Sequence, residues 1–206
     1  MDFGLFFQLP CASNQLVSNR YSETIQQSKL ADNLGFNTVW LAELHFNPRF
    51  SVMPAPLLVG SAIAQITTRI NIGTAVNLLP LHHPIRLAEE IATLDVISNG
   101  RAVFGIGRGS IPTHFEGYSI PITQSRDRFI ESLDIILRAW TEDELTFEGD
   151  YYGTERLRVV PKPYQTPHPP IHQVVDGIRS IEWAAQNGIN IIMWIPTVKA
   201  LKIKFE

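Results

Sequence analysis

Cysteine is nearly missing from this chain. Cys11 is the only one, so no disulfide can form within the 206 residues, which suits a reducing compartment. Long apolar runs are missing too. No stretch approaches the ~18 residues of a membrane-spanning helix. The N-terminus lacks the basic start and apolar core of a secretory signal. Positive charge is not in excess: 17 Lys and Arg stand against 20 Asp and Glu, a net charge of −3, so no electrostatic footprint for nucleic acid exists. No Cys, His and carboxylate spacing completes a metal site. Internal repeats, low-complexity tracts and linkers are absent. These absences lead to the expectation of a cytoplasmic, soluble, single-domain protein over 1–206, with no membrane or nucleic-acid partner.

What is present is an ordinary globular composition, 45% hydrophobic and 18% charged, enough for a sizeable core. The stretch from Asn71 to Ser110 organises the rest. A short apolar run, Ile72 to Val76, leads to a loop with His82, His83 and Pro84. Leu87, Ile91 and Leu94 then recur at helical spacing, and Asn99-Gly100 stops that helix. A second apolar run, Ala102 to Ile106, ends in Gly107-Arg108-Gly109. Strand, helix and strand of this kind make parallel neighbours. Ser110 stands where the third glycine of a dinucleotide fingerprint would fall, so that motif is excluded.

The remainder repeats the alternation. Residues 3–9 and 38–41 read as buried strands. The segment 22–34 reads as a helix with Ser22 as N-cap and Gly35 beyond its end. Helices are expected over 56–67, 125–140 and 179–186, a loop over 111–124, and strands over 171–175 and 189–195. A small antiparallel insertion is expected near 144–168, partly overlapping the five prolines between Pro161 and Pro170, which bar regular structure. Thr197 to Glu206 reads as the opening of a helix. Such alternation predicts a parallel α/β fold with about six core strands.

The run TAVNLLPLHHPIRLAEEIATLDVISNGRAVFGIGRG resembles the signature region of the luciferase-like monooxygenases, and the likeness extends from Met1 to about Pro196. The resemblance implies a TIM-type (β/α) barrel, incomplete because eight strands are needed and six are counted. The last strand–helix units are expected to be missing, through truncation, fragmentation or natural abbreviation. It also implies FMN as cofactor, reduced by a separate flavin reductase, and oxidation of a small organic substrate by molecular oxygen. Homodimerisation through the helices at about 56–67 and 85–98 is a further implication.

Site residues follow position by position. Arg108 matches the phosphate-binding arginine of the family's luciferases, with Gly107 and Ser110 beside it. Arg126 matches a second basic residue near the flavin. Asp176-Gly177 falls where those enzymes have a glutamate and a serine on the phosphate, and Ser180 opens the helix that follows. Ala75 and Val76 match an unusual non-proline cis peptide beneath the flavin ring, and Trp194 matches a tryptophan near it. His45 is the expected catalytic residue for proton steps. Luciferases carry two adjacent histidines there; this chain has Leu44 in place of the first.

Bland readings stay open from the residues alone: a solvated Arg108 in a tight turn, a strand-end His45, a structural Glu43. His82 and His83 read as a helix entry, and His114, His168 and His172 show no partner in sequence. Three functions stand side by side: a monooxygenase, a shortened flavin-binding protein without turnover, and a deazaflavin-dependent oxidoreductase.

Overall fold

The computed structural model describes residues 2–194. Thr197 to Glu206, read above as a helix start, lies outside them. The chain begins with β1 (Gly4–Phe7), α1 (Val17–Leu34), β2 (Thr38–Leu41), α2 (Pro56–Ile66), β3 (Asn71–Thr74) and β4 (Asn77–Leu78). It continues through α3 (Pro84–Ile97), β5 (Ala102–Gly107), α4 (Pro112–Gly117) and α5 (Ser125–Thr141). The hairpin β6 (Leu145–Glu148) and β7 (Gly153–Leu157) precedes β8 (Ile171–Val174), α6 (Ile178–Gln186) and β9 (Asn190–Ile192).

The main sheet has the order β1-β2-β3-β5-β8-β9, every neighbouring pair parallel. Sequence order is therefore sheet order, as right-handed strand–helix–strand crossovers dictate. Among the described residues the result is an incomplete TIM-type barrel of six main strands, with helices outside. The hairpin β6–β7 is antiparallel and separate, at the place the turn residues predicted.

The strands are buried for a physical reason. Every residue of β5 is buried, as a strand covered on both faces requires. Leu87, Ile91, Phe104, Leu133 and Ile136 form one core under α3 and α5; Val39, Leu41, Ile63 and Ile72 form a second under α1 and α2. Polar fastenings join these layers. The Asp32 carboxylate accepts from the backbone N–H groups of Thr68, Arg69 and Ile70 at 2.9, 3.1 and 2.8 Å, tying α1 to the entry of β3. The Arg101 guanidinium donates to the carbonyls of Ala64, Thr67 and Ile70, closing the end of α2 onto the start of β5.

β3 and β5 separate midway. Their ladder pairs Ile72 with Ala102 and Gly73 with Val103, and then Thr74 takes over. Its hydroxyl donates to Gly105 O at 2.8 Å and accepts from Gly105 N at 3.0 Å. The Ala75–Val76 peptide bond that follows is cis. β4 then resumes pairing with β5 at Ile106 and Gly107.

Three local expectations need correction. Ser22 is not an N-cap: α1 starts at Val17, and Ser22 lies exposed inside it. The buried stripe of α1 is Thr24, Ser28, Ala31 and Asp32, too polar to mark a start by hydrophobic rhythm. Thr24 and Ser28 satisfy their hydroxyls on the carbonyls one turn back, Arg20 and Thr24. Second, 111–124 is not all loop. Pro112 sits in the first turn of α4, where its fixed φ fits, and Phe115 is buried against Leu78 and Leu81. Third, the last strand is shorter than 189–195, covering Asn190–Ile192 among the described residues. The two predicted stops hold: Gly35 has φ 84°, and Asn99 and Gly100 have φ 56° and 79°.

Candidate active site

Segments following β2, β5 and β8 meet at a cavity of about 630 Å3. This is the carboxyl rim, where parallel barrels place their ligands. The volume lies within the roughly 300–1,000 Å3 of small-molecule sites. The lining divides by chemistry into a cationic part and an apolar part backed by a buried polar network.

The cationic part comprises Arg108, Arg126 and Arg179, with Ser110, Asp176, Gly177 and Ser180 beside them. Arg108 is exposed directly after β5. A side chain on Gly107 would come 2.4 Å from Val76 Cγ2, so glycine lets Val76 close against the strand end. Gly109 has φ 78°, a left-handed conformation that glycine adopts without strain. Gly177 is the N-cap of α6, in extended backbone, and no acid occupies that helix's first turn. The Ser180 hydroxyl accepts from the N–H groups of Asp176 and Gly177, both at 3.3 Å, and donates to Gly177 O at 2.7 Å. It therefore shapes the helix start. The positive end of α6 and three guanidiniums together favour an anion.

Behind the apolar part, Glu43 is the hub. The His45 Nε2–H donates to Oε1 at 2.9 Å, and the His82 Nε2–H lies 2.9 Å from both carboxylate oxygens. Asn77 Nδ2 and the Leu78 N–H each donate to Oε2 at 3.2 Å. Burial by itself would push the Glu43 carboxyl up; the hydrogen bonds and charges of His45 and His82 outweigh it and bring it down to about 2. Burial likewise works to lower His82, and Glu43 overcomes it and raises it.

The other ring nitrogens are assigned by the same bonds. His45 Nδ1 faces the Tyr118 hydroxyl at 3.2 Å, with Tyr118 the donor when Nε2 holds the proton. The His45 backbone N–H donates to His114 Nε2 at 3.3 Å, so the neutral His114 ring keeps its proton on Nδ1. Burial, then the charge of His45, lowers the His114 value, which favours that neutral form. Burial raises Tyr118, which stays a hydroxyl donor.

The structure brings Arg108, Ser110, Arg126, Asp176, Gly177 and Ser180 to one cavity. His45 is 5% exposed and lies one layer behind, while His114 lines the space. Ala75 and Val76 supply no lining, though Val76 and Val174 both flank Gly107 and Val174 lines the cavity. Trp194 is not brought to the site: it is 81% exposed at the end of the described chain and lines no part of the cavity. Sequence reasoning missed Arg179, His114 and the joining of His82 to Glu43, whose positions are 39 residues apart. Only Arg179 had a local signal, as a cation in the first turn of a helix that follows a strand end.

The luciferase-like monooxygenase family matches this chain over residues 1–206, and the chain belongs to that family. Among curated relatives, the uncharacterized protein y4wF of Sinorhizobium fredii is 36% identical, over 92% of this chain and 55% of its own length. The oxygenase component of the flavin-dependent trigonelline monooxygenase of Acinetobacter baylyi is 32% identical, over 93% of this chain and 53% of its own. The alkanal monooxygenase alpha chain of Photorhabdus luminescens is 31% identical, over 88% and 50%. The chain thus spans about half the length of the curated relatives it matches.

Solved structures agree. The monooxygenase RslO1 of Streptomyces bottropensis superposes with a TM-score of 0.91 at 30% identity, covering 99% of this chain and 64% of that one. The oxygenating constituent of 3,6-diketocamphane monooxygenase from Pseudomonas putida, in complex with FMN, gives 0.90 at 25%, covering 100% and 60%. A coenzyme F420-dependent tetrahydromethanopterin reductase from Methanopyrus kandleri shares the fold, at 0.77 and 22% identity over 98% and 58%.

Proposed function

We propose that this chain serves a flavin-dependent monooxygenase reaction, in which FMN, reduced by a separate flavin reductase, and molecular oxygen oxidise a small organic substrate. The observation carrying this reading is the union, in one cavity, of three arginines and the start of α6 with an apolar wall over a buried histidine–carboxylate network. The residues fit a flavin phosphate: planar guanidiniums offer paired donors, and the helix start adds aligned N–H groups. Val76 and Val174, which both flank Gly107, provide an apolar edge beside the cavity for a planar ring. When bound, the flavin supplies the redox chemistry and the reaction with oxygen.

The chain's own residues do the rest. Arg108, Arg126 and α6 hold the anionic tail and fix the register of the ring. Leu44, Leu78 and Val174 exclude water. His114 presents a neutral imidazole to the cavity, with its Nδ1–H as a hydrogen-bond donor. His45 stands behind it as a positioning group, oriented by Glu43 on one side and Tyr118 on the other. Homodimerisation through α2 and α3 is part of this proposal; Leu58 on α2 is 74% exposed.

Reoxidation of reduced flavin in aerated buffer tests the reading. The protein is expected to slow the return of oxidised FMN several-fold and to leave coenzyme F420 unaffected. Tight binding of oxidised FMN with no effect on reoxidation supports a flavin carrier instead, the reading that Leu44 at the cavity wall favours. Preference for F420 supports a deazaflavin enzyme.

A further inference from the structure

His114 is a buried ring with one nitrogen engaged and one free. It sits on α4 and is 3% exposed. Phe115, the next residue, packs against Leu78 and Leu81, so this short helix is anchored to the rim. The His114 Nε2 accepts from the His45 backbone N–H at 3.3 Å, and the two imidazoles meet edge to face, 5.2 Å apart at 90°. A backbone amide is only ever a donor, so the neutral ring is locked with its own proton on Nδ1. Nothing among the described residues accepts from that Nδ1–H, and the atom is not sealed off. Since His114 lines the cavity, the donor opens into it. A buried donor left unpaired is costly, and an occupant that brings an acceptor removes the cost.

The wall around the donor selects the acceptor. Leu44 adjoins His45, Leu78 packs on Phe115, and both line the cavity with His114. Glu43 lines it too, as a carboxylate whose charge repels an anionic acceptor. Its two oxygens already receive His45, His82, Asn77 and the Leu78 N–H. They leave no acceptor on this wall for a ligand's own O–H or N–H. An ammonium would meet the Nδ1–H donor to donor. What remains is a neutral group that only accepts, carried by an otherwise apolar molecule, and a carbonyl oxygen is such a group. Arg108, Arg126 and Arg179, on other elements, answer to an anionic ligand; the His114 wall answers to a neutral one.

We propose that the His114 Nδ1–H donates to the carbonyl oxygen of the substrate, an apolar ketone, aldehyde or ester, and that the His45 backbone N–H keeps that donor available by fixing the tautomer. This rests on the monooxygenase reading above and names its substrate class.

The test titrates 2-heptanone, and 2-aminoheptane as a control of equal chain length, into protein labelled with 15N-histidine, with and without saturating FMN. NMR follows the His114 ring nitrogens, assigned through His114→Asn and His114→Phe. The asparagine amide can return an N–H near the Nδ1 position; phenylalanine cannot. The wild-type ring is expected to show the Nδ1–H tautomer and to respond to 2-heptanone at least about fivefold more tightly than to 2-aminoheptane. His114→Phe is expected to weaken 2-heptanone about tenfold, His114→Asn less, and neither to change FMN affinity by more than about twofold. A ring with its proton on Nε2, or one that 2-heptanone leaves unmoved while FMN binds, overturns the inference and leaves the flavin reading standing. That wild-type result decides even where a variant fails to fold. Loss of FMN affinity in His114→Phe at an unchanged melting temperature overturns it too, because the donor then serves the flavin. A wild-type chain that binds no FMN overturns the flavin reading, and the substrate role with it.

Discussion

Glu43 shows how a single side chain ties fold to chemistry. Its carboxylate, with the side chain fully buried, gathers two imidazoles, one amide and one backbone N–H from three segments of chain. Its value falls from 4.5 to about 2 in the folded protein. A depressed carboxylate stabilises the fold fully above its unfolded value, and that contribution is lost as pH falls from about 4.5 toward about 2. The shift corresponds to about 3 kcal/mol. His82 has the opposite sign. Its raised value adds stability below the ordinary histidine range, lost as pH rises through the raised value. Both describe one interaction and do not add. Glu43→Gln is therefore expected to destabilise the protein by about 3 kcal/mol at neutral pH. It should also flatten the acid limb of the urea-unfolding profile; an unchanged limb would remove Glu43 from this role. Arg108 was visible in the sequence because it directly follows an apolar strand, and His45 because it lies a few residues beyond one. Glu43 was visible only as an ambiguous acid, since His82 and Asn77 reach it from 39 and 34 residues away.

Among the elements, the crossing of β3 and β5 is the most constrained. A Cβ on Gly105 would sit 1.6 Å from the Thr74 carbonyl oxygen, which is backbone and cannot swing aside. Gly105→Ala must push the two strands apart just where Thr74 bridges them. The expected cost is at least about 3 kcal/mol in chemical unfolding. A cost under about 1 kcal/mol would show that the strands separate easily. The sequence made β5, α3 and α5 plain through apolar runs and helical rhythm. It misplaced the start of α1, whose buried stripe is built of Thr24, Ser28 and Asp32, and it missed α4, whose six residues are too few for any rhythm. Physical patterning registers apolar burial; it is silent where polar groups are buried with partners found far along the chain.

For the whole molecule, alternation alone gave the parallel α/β class, and the family resemblance selected the barrel. The cationic rim was half legible. Arg108, Arg126 and the start of α6 came from resemblance, but their meeting in one cavity required the sheet order that sets β5 beside β8. Arg179 emerged only there. Homodimerisation through α2 and α3 predicts twice the 23.2 kDa chain mass by light scattering at micromolar concentration. A mass equal to one chain would contradict it.

The cavity at the carboxyl rim is proposed to hold FMN by its phosphate. Crystals grown with FMN test this most directly. Density for the phosphate is expected within hydrogen-bond reach of Arg108 and the N–H groups at the start of α6, with the ring lying against the apolar edge of Val76 and Val174. Flavin bound elsewhere, or a phosphate turned away from Arg108 into solvent, would contradict it.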